Sequence, residues 1–201
     1  EHISYDKMVI KHVEDTIEKH FVANIPWKEG YKDKLKNNFE AVKKRQETTL
    51  SPKALERKGI KLEQIQSIFD GYVKKGYIKE IPKDQWEDGW YLPFFCVVNP
   101  AKKSTPIRPV FDAKAQYGGV SLNNQIMNTP NLLNDTWPTL LHLRQYKYAL
   151  TGDISEMFLR VRLAEEDQKY HRFYFDGKVY QWTRILFGNT SSPNISQKVI
   201  R

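Results

Sequence analysis

The sequence contains very little cysteine, and this limits the chemistry open to it. Cys96 is its one cysteine in 201 residues, so the chain can form neither an internal disulfide nor a cysteine-based zinc cluster. A single cysteine suits a reducing, intracellular compartment. Cys96 lies in an apolar stretch, where we interpret it as a small apolar residue of a strand.

Long apolar runs and an acidic surplus are missing too. No apolar run approaches the roughly 20 residues that span a bilayer, which weakens a membrane interpretation. Lysine and arginine number 32 against 24 acidic residues, which gives a formal net charge of +8. This surplus favours polyanionic partners, with nucleic acid first and anionic membrane second. At 40% hydrophobic content, the chain can bury the core of one domain or of two small subdomains.

Helical spacing dominates the first part of the chain. The lysine-rich stretch 31–59 predicts a solvated helix near residues 39–48, flanked by loops. Apolar residues from Leu62 to Val73 predict a second helix that Gly76 ends. An amphipathic helix is also predicted near the start of the chain. Its apolar residues recur at three- and four-residue spacing, and they are Ile10, Val13, Ile17 and Phe21.

Strand patterns follow Gly76. Strands are predicted at "YIKEI", "YLPFFCVV" and "IRPVF", with a lysine-tipped hairpin loop at "NPAKKSTP". A short helix between Trp137 and Tyr146 precedes "KYALTG", which predicts a buried strand with Asp153 at its end. A hairpin with an Asp-Gly turn is predicted at "HRFYFDGKVYQW", and Pro193 begins a last helix.

Asp153 raises a chemical question, because its neighbours on both sides are apolar. A carboxylate at the end of a buried strand either caps the following turn or holds a cation. A basic chain predicts a phosphate-bearing partner, and magnesium is usually held by one or two carboxylates together with phosphates. On the residues alone, both interpretations stay open.

Four motifs in order resemble the fingers and early palm of a reverse transcriptase: "RPVFDA", "GDISEMFLRVRL", "KYHRFYF" and "LFGNTSSP". The closest resemblance is to polymerases of BEL/Pao-type LTR retrotransposons, whose segments R-x-V-F-D-A and Y-A-x-T-x-D-I recur here. "IPWK", "NNFEAVKKR" and "GYIKEIP" resemble the same lineage, so that the resemblance covers about residues 21 to 201.

This resemblance implies an RNA-directed DNA polymerase with an α+β right-hand fold, consisting of fingers and a partial palm whose antiparallel sheet carries helices on one face. We expect a lead-in at 1–30, a fingers-like subdomain at 31–135 and the first part of the palm at 136–201. The implied cofactor is Mg²⁺ or Mn²⁺. The implied partners are an RNA or DNA template with its primer, deoxynucleoside triphosphates and the rest of the polymerase chain, with no membrane. A retroelement polyprotein in the cytoplasm or in virus-like particles is the implied setting.

The resemblance also implies roles for residues. Asp153 matches the first catalytic metal-binding aspartate, and the main-chain carbonyl of Ile154 also faces the metal. We expect the Asp153 carboxylate to point into a water-poor cleft. The polymerase interpretation depends on this orientation. Phe158 matches the steric gate that excludes a ribose 2′-hydroxyl.

Further nucleotide-binding residues follow from the same motifs. Arg108 matches an arginine that grips the triphosphate, which suits the planar donors of its guanidinium. Lys102 or Lys103 matches a second phosphate contact at the hairpin tip. Phe187 and Gly188 match the loop beneath the nascent base pair.

Some positions are interpreted differently or depart from the family. Asp112 is taken as a structural residue at the base of the hairpin. Asn189 stands where relatives often carry lysine, and Ser196 where many carry phenylalanine, which makes base-pair contacts there less certain.

The family's second motif, Tyr-x-Asp-Asp, is missing from this sequence, which has no Asp-Asp pair. Asp135, Asp167 and Asp176 are interpreted as turn or helix-start residues and offer no substitute. Because the chain begins with Glu1 and stops within a helical pattern, we expect it to be part of a longer protein. Because one carboxylate does not anchor two divalent ions, we expect this segment alone to be inactive.

Two alternatives stay open: a non-catalytic or domesticated remnant that binds nucleic acid, and a structural or protein-interaction segment that uses the lysine-rich first third.

Overall fold

The computed structural model describes residues 10–14, 19–101, 106–128 and 132–200. Its strands form two three-stranded sheets, β1-β2-β6 and β3-β8-β7, and the two-stranded sheet β4-β5. The strands are β1 (Ile10–Glu14), β2 (Lys19–Ala23), β3 (Ile78–Ile81), β4 (Phe94–Val98), β5 (Ile107–Phe111), β6 (Val161–Leu163), β7 (Arg172–Phe175) and β8 (Lys178–Trp182). The helices are α1 (Tyr31–Lys34), α2 (Phe39–Thr49), α3 (Pro52–Lys58), α4 (Leu62–Lys74), α5 (Thr136–Leu143), α6 (Glu165–Gln168) and α7 (Ser192–Ile200).

The N-terminal segment is a β-hairpin, so the amphipathic helix predicted there is wrong. β1 pairs with β2 in antiparallel orientation, with Ile10 opposite Ala23. β2 also pairs with β6 in parallel, with Phe21 opposite Val161. β-branched and aromatic residues favour such pleated surfaces, and pairing with a distant strand outweighs the local helical spacing. Residue 17 of the predicted helix lies outside the described residues.

The core is an aromatic cluster between α4 and the sheet β3-β8-β7. Phe69 of α4 is fully buried, and its ring centroid lies 5.3 Å from that of Phe94, 4.9 Å from Phe173 and 5.0 Å from Phe175. Tilted and edge-on ring pairs of this kind add to the free energy gained by burial. The predicted helix is confirmed as α4, and Gly76 follows its end with a φ of +66°.

The strands predicted after Gly76 at 77–81, 91–98 and 107–111 and the hairpin predicted at 171–182 are confirmed. β3, β4 and β5 lie at the three predicted segments, and β7 and β8 pair around Asp176 and Gly177. Both turn residues have positive φ, at +46° and +79°, as a tight two-residue hairpin turn requires. The sheets join strands from all three predicted units, β2 with β6 and β3 with β8, while the unit boundaries stay a prediction.

The predicted lysine-rich helix is confirmed as α2, although its surface is not solvated throughout. Val42 and Gln46 of α2 are buried. The flanking segments predicted as loops contain the short helices α1 and α3.

The strand predicted at 147–152 is absent, and residues 147–154 have no regular structure. Tyr148 and Leu150 are exposed, Leu150 at 96%. The described strands leave 147–152 without a partner, and a buried strand needs one for its N–H and C=O groups. Asp153 is therefore exposed, and the expectation of a water-poor surrounding is wrong.

The helix predicted between Trp137 and Tyr146 is present as α5. Its leucines Leu140 and Leu141 are nevertheless about half exposed.

Across the described residues, no helix combines the length and the apolar character needed to cross a bilayer.

The aromatic core yields a stability prediction. Phe69→Ala should lower the free energy of unfolding by about 3–5 kcal/mol, because a buried ring is lost and a cavity remains. Val73→Ala, on the exposed side of the same helix, should change it by no more than about 0.5 kcal/mol. Urea denaturation followed by circular dichroism measures both, and equal losses would show that this cluster is not the core.

Candidate nucleotide-binding site

Arg108 lies on β5, in the hairpin that the sequence predicts. Its side chain is exposed, and its cross-strand partner on β4 is Val97. β5 ends three residues later at Phe111. Lys102 and Lys103, at the predicted tip, lie outside the described residues. The hairpin thus presents one predicted phosphate-binding cation on its outer surface.

Phe158 and Phe187 meet in the structure, although they belong to two separate motifs. Their ring centroids are 4.3 Å apart and the rings stand at 89°, which is the edge-to-face geometry that aromatic pairs prefer. Phe158 is half-buried in a short 3₁₀ turn, whereas Phe187 is 67% exposed. Two predicted nucleotide-binding side chains therefore form one partly open aromatic surface.

Gly188 packs the loop behind Phe187 against the end of β5. Its φ is +96°, and a Cβ built on it would lie 2.5 Å from the main-chain oxygen of Phe111. A side chain here meets both an unfavourable backbone conformation and a clash with main chain. The glycine therefore allows the Phe187 loop to contact the strand that carries Arg108.

Asn123 holds the same loop, a role that none of the sequence motifs indicates. Its Nδ2 donates to the main-chain oxygen of Gly188 at 2.8 Å, and its Oδ1 accepts from the Thr190 N–H at 3.0 Å. Both partners are distant in sequence, so an asparagine in a polar stretch carries no local signal of this role.

Asn189 has a structural role, which gives a reason why this position does not carry a lysine. It is buried, and its Nδ2 donates to Nε2 of His171 at 3.0 Å. Nδ1 of His171 lies 2.9 Å from the Asp167 main-chain oxygen, to which it donates in the matching tautomer. Burial lowers the pKa of His171 to about 4, so the ring is neutral at physiological pH. A lysine at 189 would place a charge beside this buried ring.

Asp153 and Ile154 are both exposed, and by themselves they do not fit a magnesium site. Magnesium is bound in octahedral geometry by carboxylates and phosphates together with waters. Within the described ranges, no group of three histidine, cysteine or acidic side chains could hold a metal ion.

Glu156, three residues after Asp153, is engaged elsewhere. It accepts from Lys75 Nζ at 2.8 Å and from Tyr77 Oη at 2.7 Å. These hydrogen bonds, from Lys75 first, hold the pKa of Glu156 below its ordinary value. Glu156 also has a left-handed φ of +55°. It therefore anchors the segment between Asp153 and Phe158 to the end of α4, a role that no sequence pattern indicated.

Two other aspartates have structural contacts. Asp112 forms a salt bridge of 3.2 Å with Arg45 and accepts from the Lys114 N–H at 3.1 Å, which fits its predicted place at the base of the hairpin. Asp167 lies in the first turn of α6, which agrees with its interpretation as a turn or helix-start residue. It is buried, and it accepts from the Ile25 N–H and from Nε1 of Trp27. Burial raises the pKa of Asp167.

The segment that carries these residues matches a known protein family. Residues 102–201 match the family described as reverse transcriptase (RNA-dependent DNA polymerase). The match includes Arg108, Asp153, Phe158 and Phe187. The predicted resemblance to reverse transcriptases is thus confirmed over this segment, while the BEL/Pao type stays a prediction.

Two similar proteins are viral. A putative enzymatic polyprotein of Cassava vein mosaic virus is 28% identical over 140 residues, which cover 68% of this chain and 20% of the polyprotein. The protease-reverse transcriptase of prototype foamy virus has a similar fold, with a TM-score of 0.53 and 23% identity, covering 68% of this chain and 16% of the viral chain. This chain thus spans a fifth or less of the length of these relatives.

The packing of Gly188 yields a second prediction. Gly188→Ala should lower the free energy of unfolding by about 1–2 kcal/mol for the left-handed backbone and by about 1–3 kcal/mol more for the clash with Phe111. Gly59→Ala is the matched control, because Gly59 has a φ of +63° with nothing within 4 Å of its built Cβ. Gly59→Ala should show only the loss that comes from the left-handed backbone. Thermal unfolding compares the two, and equal losses would contradict the close approach.

Proposed function

We propose that this chain supplies the fingers and first palm segment of a reverse transcriptase of a BEL/Pao-like LTR retrotransposon. The complete polyprotein would add deoxynucleotides to a primer on an RNA or DNA template, in the cytoplasm or in virus-like particles. The meeting of Phe158 with Phe187 carries the proposal, because two motifs assigned to one nucleotide site come together within the family match. The net charge of +8 supports a polyanionic partner.

The nucleotide site in this proposal has a charged side and an aromatic side. Arg108, with Lys102 or Lys103, binds the triphosphate through charge-assisted hydrogen bonds. Phe158 lies under the sugar, where its ring leaves a 2′-hydroxyl without space or a hydrogen-bond partner. Phe187 supports that ring edge-on, and Gly188 keeps the loop close to the strand of Arg108.

The proposed metal centre needs more than this sequence contains. Asp153 and the Ile154 carbonyl would be two of its ligands, and a Tyr-x-Asp-Asp hairpin elsewhere in the polymerase would supply the other carboxylates. We propose that residues 147–152 form a strand when that part of the palm pairs with them. The exposed side chains of Tyr148 and Leu150 support this, because they leave an apolar segment without cover.

Asp153→Asn in the full-length polymerase tests the catalytic role. Primer extension should fall about 100-fold or more, because a carboxylate ligand is worth several kcal/mol of transition-state stabilisation. Template–primer affinity, measured by fluorescence anisotropy, should change little.

Asp176→Asn is the matched control, because it makes the same change in a hairpin turn where asparagine tolerates a positive φ. Retained extension by Asp153→Asn would refute the proposed role. Salt-sensitive binding by a wild-type protein that never extends a primer would instead identify a nucleic-acid-binding remnant.

Phe158→Val tests the proposed gate. The smaller side chain opens space beneath the sugar, so the ratio of kcat/KM for deoxynucleotides over ribonucleotides should fall about tenfold or more, equivalent to about 1.4 kcal/mol. Single-nucleotide incorporation measures the ratio. Met157→Val, in the same 3₁₀ turn, is the control and should leave it unchanged. An unchanged ratio in Phe158→Val would remove the gate role.

A further inference from the structure

We propose that Asn38 and Gln46 are positioning residues for nucleotide binding, which they serve through main-chain contacts and without touching the nucleotide. Their side-chain amides form the hydrogen bonds that a neighbouring strand would otherwise form with residues 91–94. They thereby hold the β4-β5 hairpin in the position in which Arg108 contacts the triphosphate. The nucleotide part of this inference rests on the proposed function, whereas the positioning of the hairpin does not.

Each amide makes a reciprocal pair of hydrogen bonds with one main-chain residue. Asn38 donates to the Tyr91 oxygen at 3.0 Å and accepts from the Tyr91 N–H at 2.8 Å. Gln46 donates to the Phe94 oxygen and accepts from the Phe94 N–H, both at 3.0 Å. A primary amide offers the same donor and acceptor as a peptide group. Each side chain therefore replaces one residue of a strand partner.

The spacing of the two amides matches the spacing of their partners. From Asn38 to Gln46 is eight residues, which is about 12 Å along a helix and slightly more than two turns, so both residues lie on one face. From Tyr91 to Phe94 is three residues, which is about 10 Å along an extended chain. Helix α2, together with the residue that precedes it, can therefore satisfy two separate main-chain positions of the same extended segment.

Because both amides are buried, loss of their hydrogen bonds would cost free energy of folding. Gln46 is 1% exposed and Asn38 is 8% exposed. With either amide removed, a main-chain N–H and C=O would be left buried without partners, so the segment would shift to reach other partners.

Further contacts connect the same helices to both strands of the hairpin. Arg45 of α2 pairs with Asp112, directly after β5, at 3.2 Å. Lys58 of α3 donates to the Cys96 main-chain oxygen on β4 at 3.2 Å. Among the described strands, β4 and β5 pair with each other alone. Main-chain hydrogen bonds also join residues 90 and 92, just before β4, to residues 169 and 172. The orientation of the hairpin therefore depends on these bonds, on the contacts with the helices and on core packing, and a displacement of about 1 Å at a binding group is enough to weaken productive substrate binding strongly.

Hydrogen exchange on the full-length protein tests the positioning directly. In Gln46→Leu, which keeps the approximate volume and removes the amide, main-chain amides of both β4 and β5 should exchange on the order of tenfold faster, while β7 and β8 stay protected. Gln66→Leu is the matched control, because Gln66 is a half-buried helical glutamine of α4 whose amide donates to a side chain, Asp70, and not to main chain. Faster exchange confined to Phe94, or none, would overturn the proposal.

Asn38→Asp provides a second variant in case Gln46→Leu does not fold. It keeps the acceptor for the Tyr91 N–H and loses the donor to the Tyr91 oxygen. Faster exchange should again extend beyond Tyr91 into the hairpin, and confinement to Tyr91 would count against the proposal.

Kinetics distinguish positioning from a general loss of folded protein. Both variants should raise KM for deoxynucleotides on the order of tenfold, with kcat and template–primer affinity within about twofold of wild type. Partial unfolding would lower kcat and leave KM unchanged, and that result would overturn the nucleotide role. A wild-type protein that does not extend primers refutes the proposed function, and hydrogen exchange then still decides whether Asn38 and Gln46 hold the hairpin.

Discussion

The need to pair main-chain N–H and C=O groups governs how the described parts of this protein are arranged. An extended segment buried without partners for these groups would lose the free energy of their hydrogen bonds to water. β2 meets the requirement by pairing with β6, and β3 by pairing with β8. Residues 91–94 meet it partly through the side chains of Asn38, directly before α2, and of Gln46 in α2. The one predicted strand without a neighbour, at 147–152, stays exposed and irregular.

The same requirement explains which elements could be predicted from the sequence. The hairpin β7-β8 and the helix α4 depend on local signals, namely an Asp-Gly turn, a periodic apolar face and a glycine after the last turn. The hairpin β1-β2 could not be predicted from local spacing, because its stability depends on Val161 and its neighbours far along the chain. The prediction of a strand at 147–152 is wrong for the opposite reason. The local pattern there is apolar and favours a strand, but none of the described strands pairs with it.

In the candidate site, too, residues within local motifs could be predicted, whereas residues with distant partners could not. Motifs located Phe158, Phe187 and Gly188, and the structure brings the first two into contact. The roles of Asn123 and Glu156 could not be predicted, because the partners of both side chains are remote in sequence. The exposure of Asp153 contradicts the sheltered position expected from the sequence, and the polymerase interpretation loses the support of a water-poor cleft. That interpretation now rests on the aromatic contact and on the family match at 102–201, which do not depend on the burial of Asp153.

The parallel pairing of β2 with β6 has a consequence for biosynthesis. Phe21 leaves the ribosome long before Val161, its partner, has been made. At about 5–20 residues per second, the N-terminal hairpin waits on the order of ten seconds for its neighbour. During that interval one edge of this short two-stranded ribbon is open to other nascent chains. Translation speed and chaperone occupancy should therefore influence the yield of this protein.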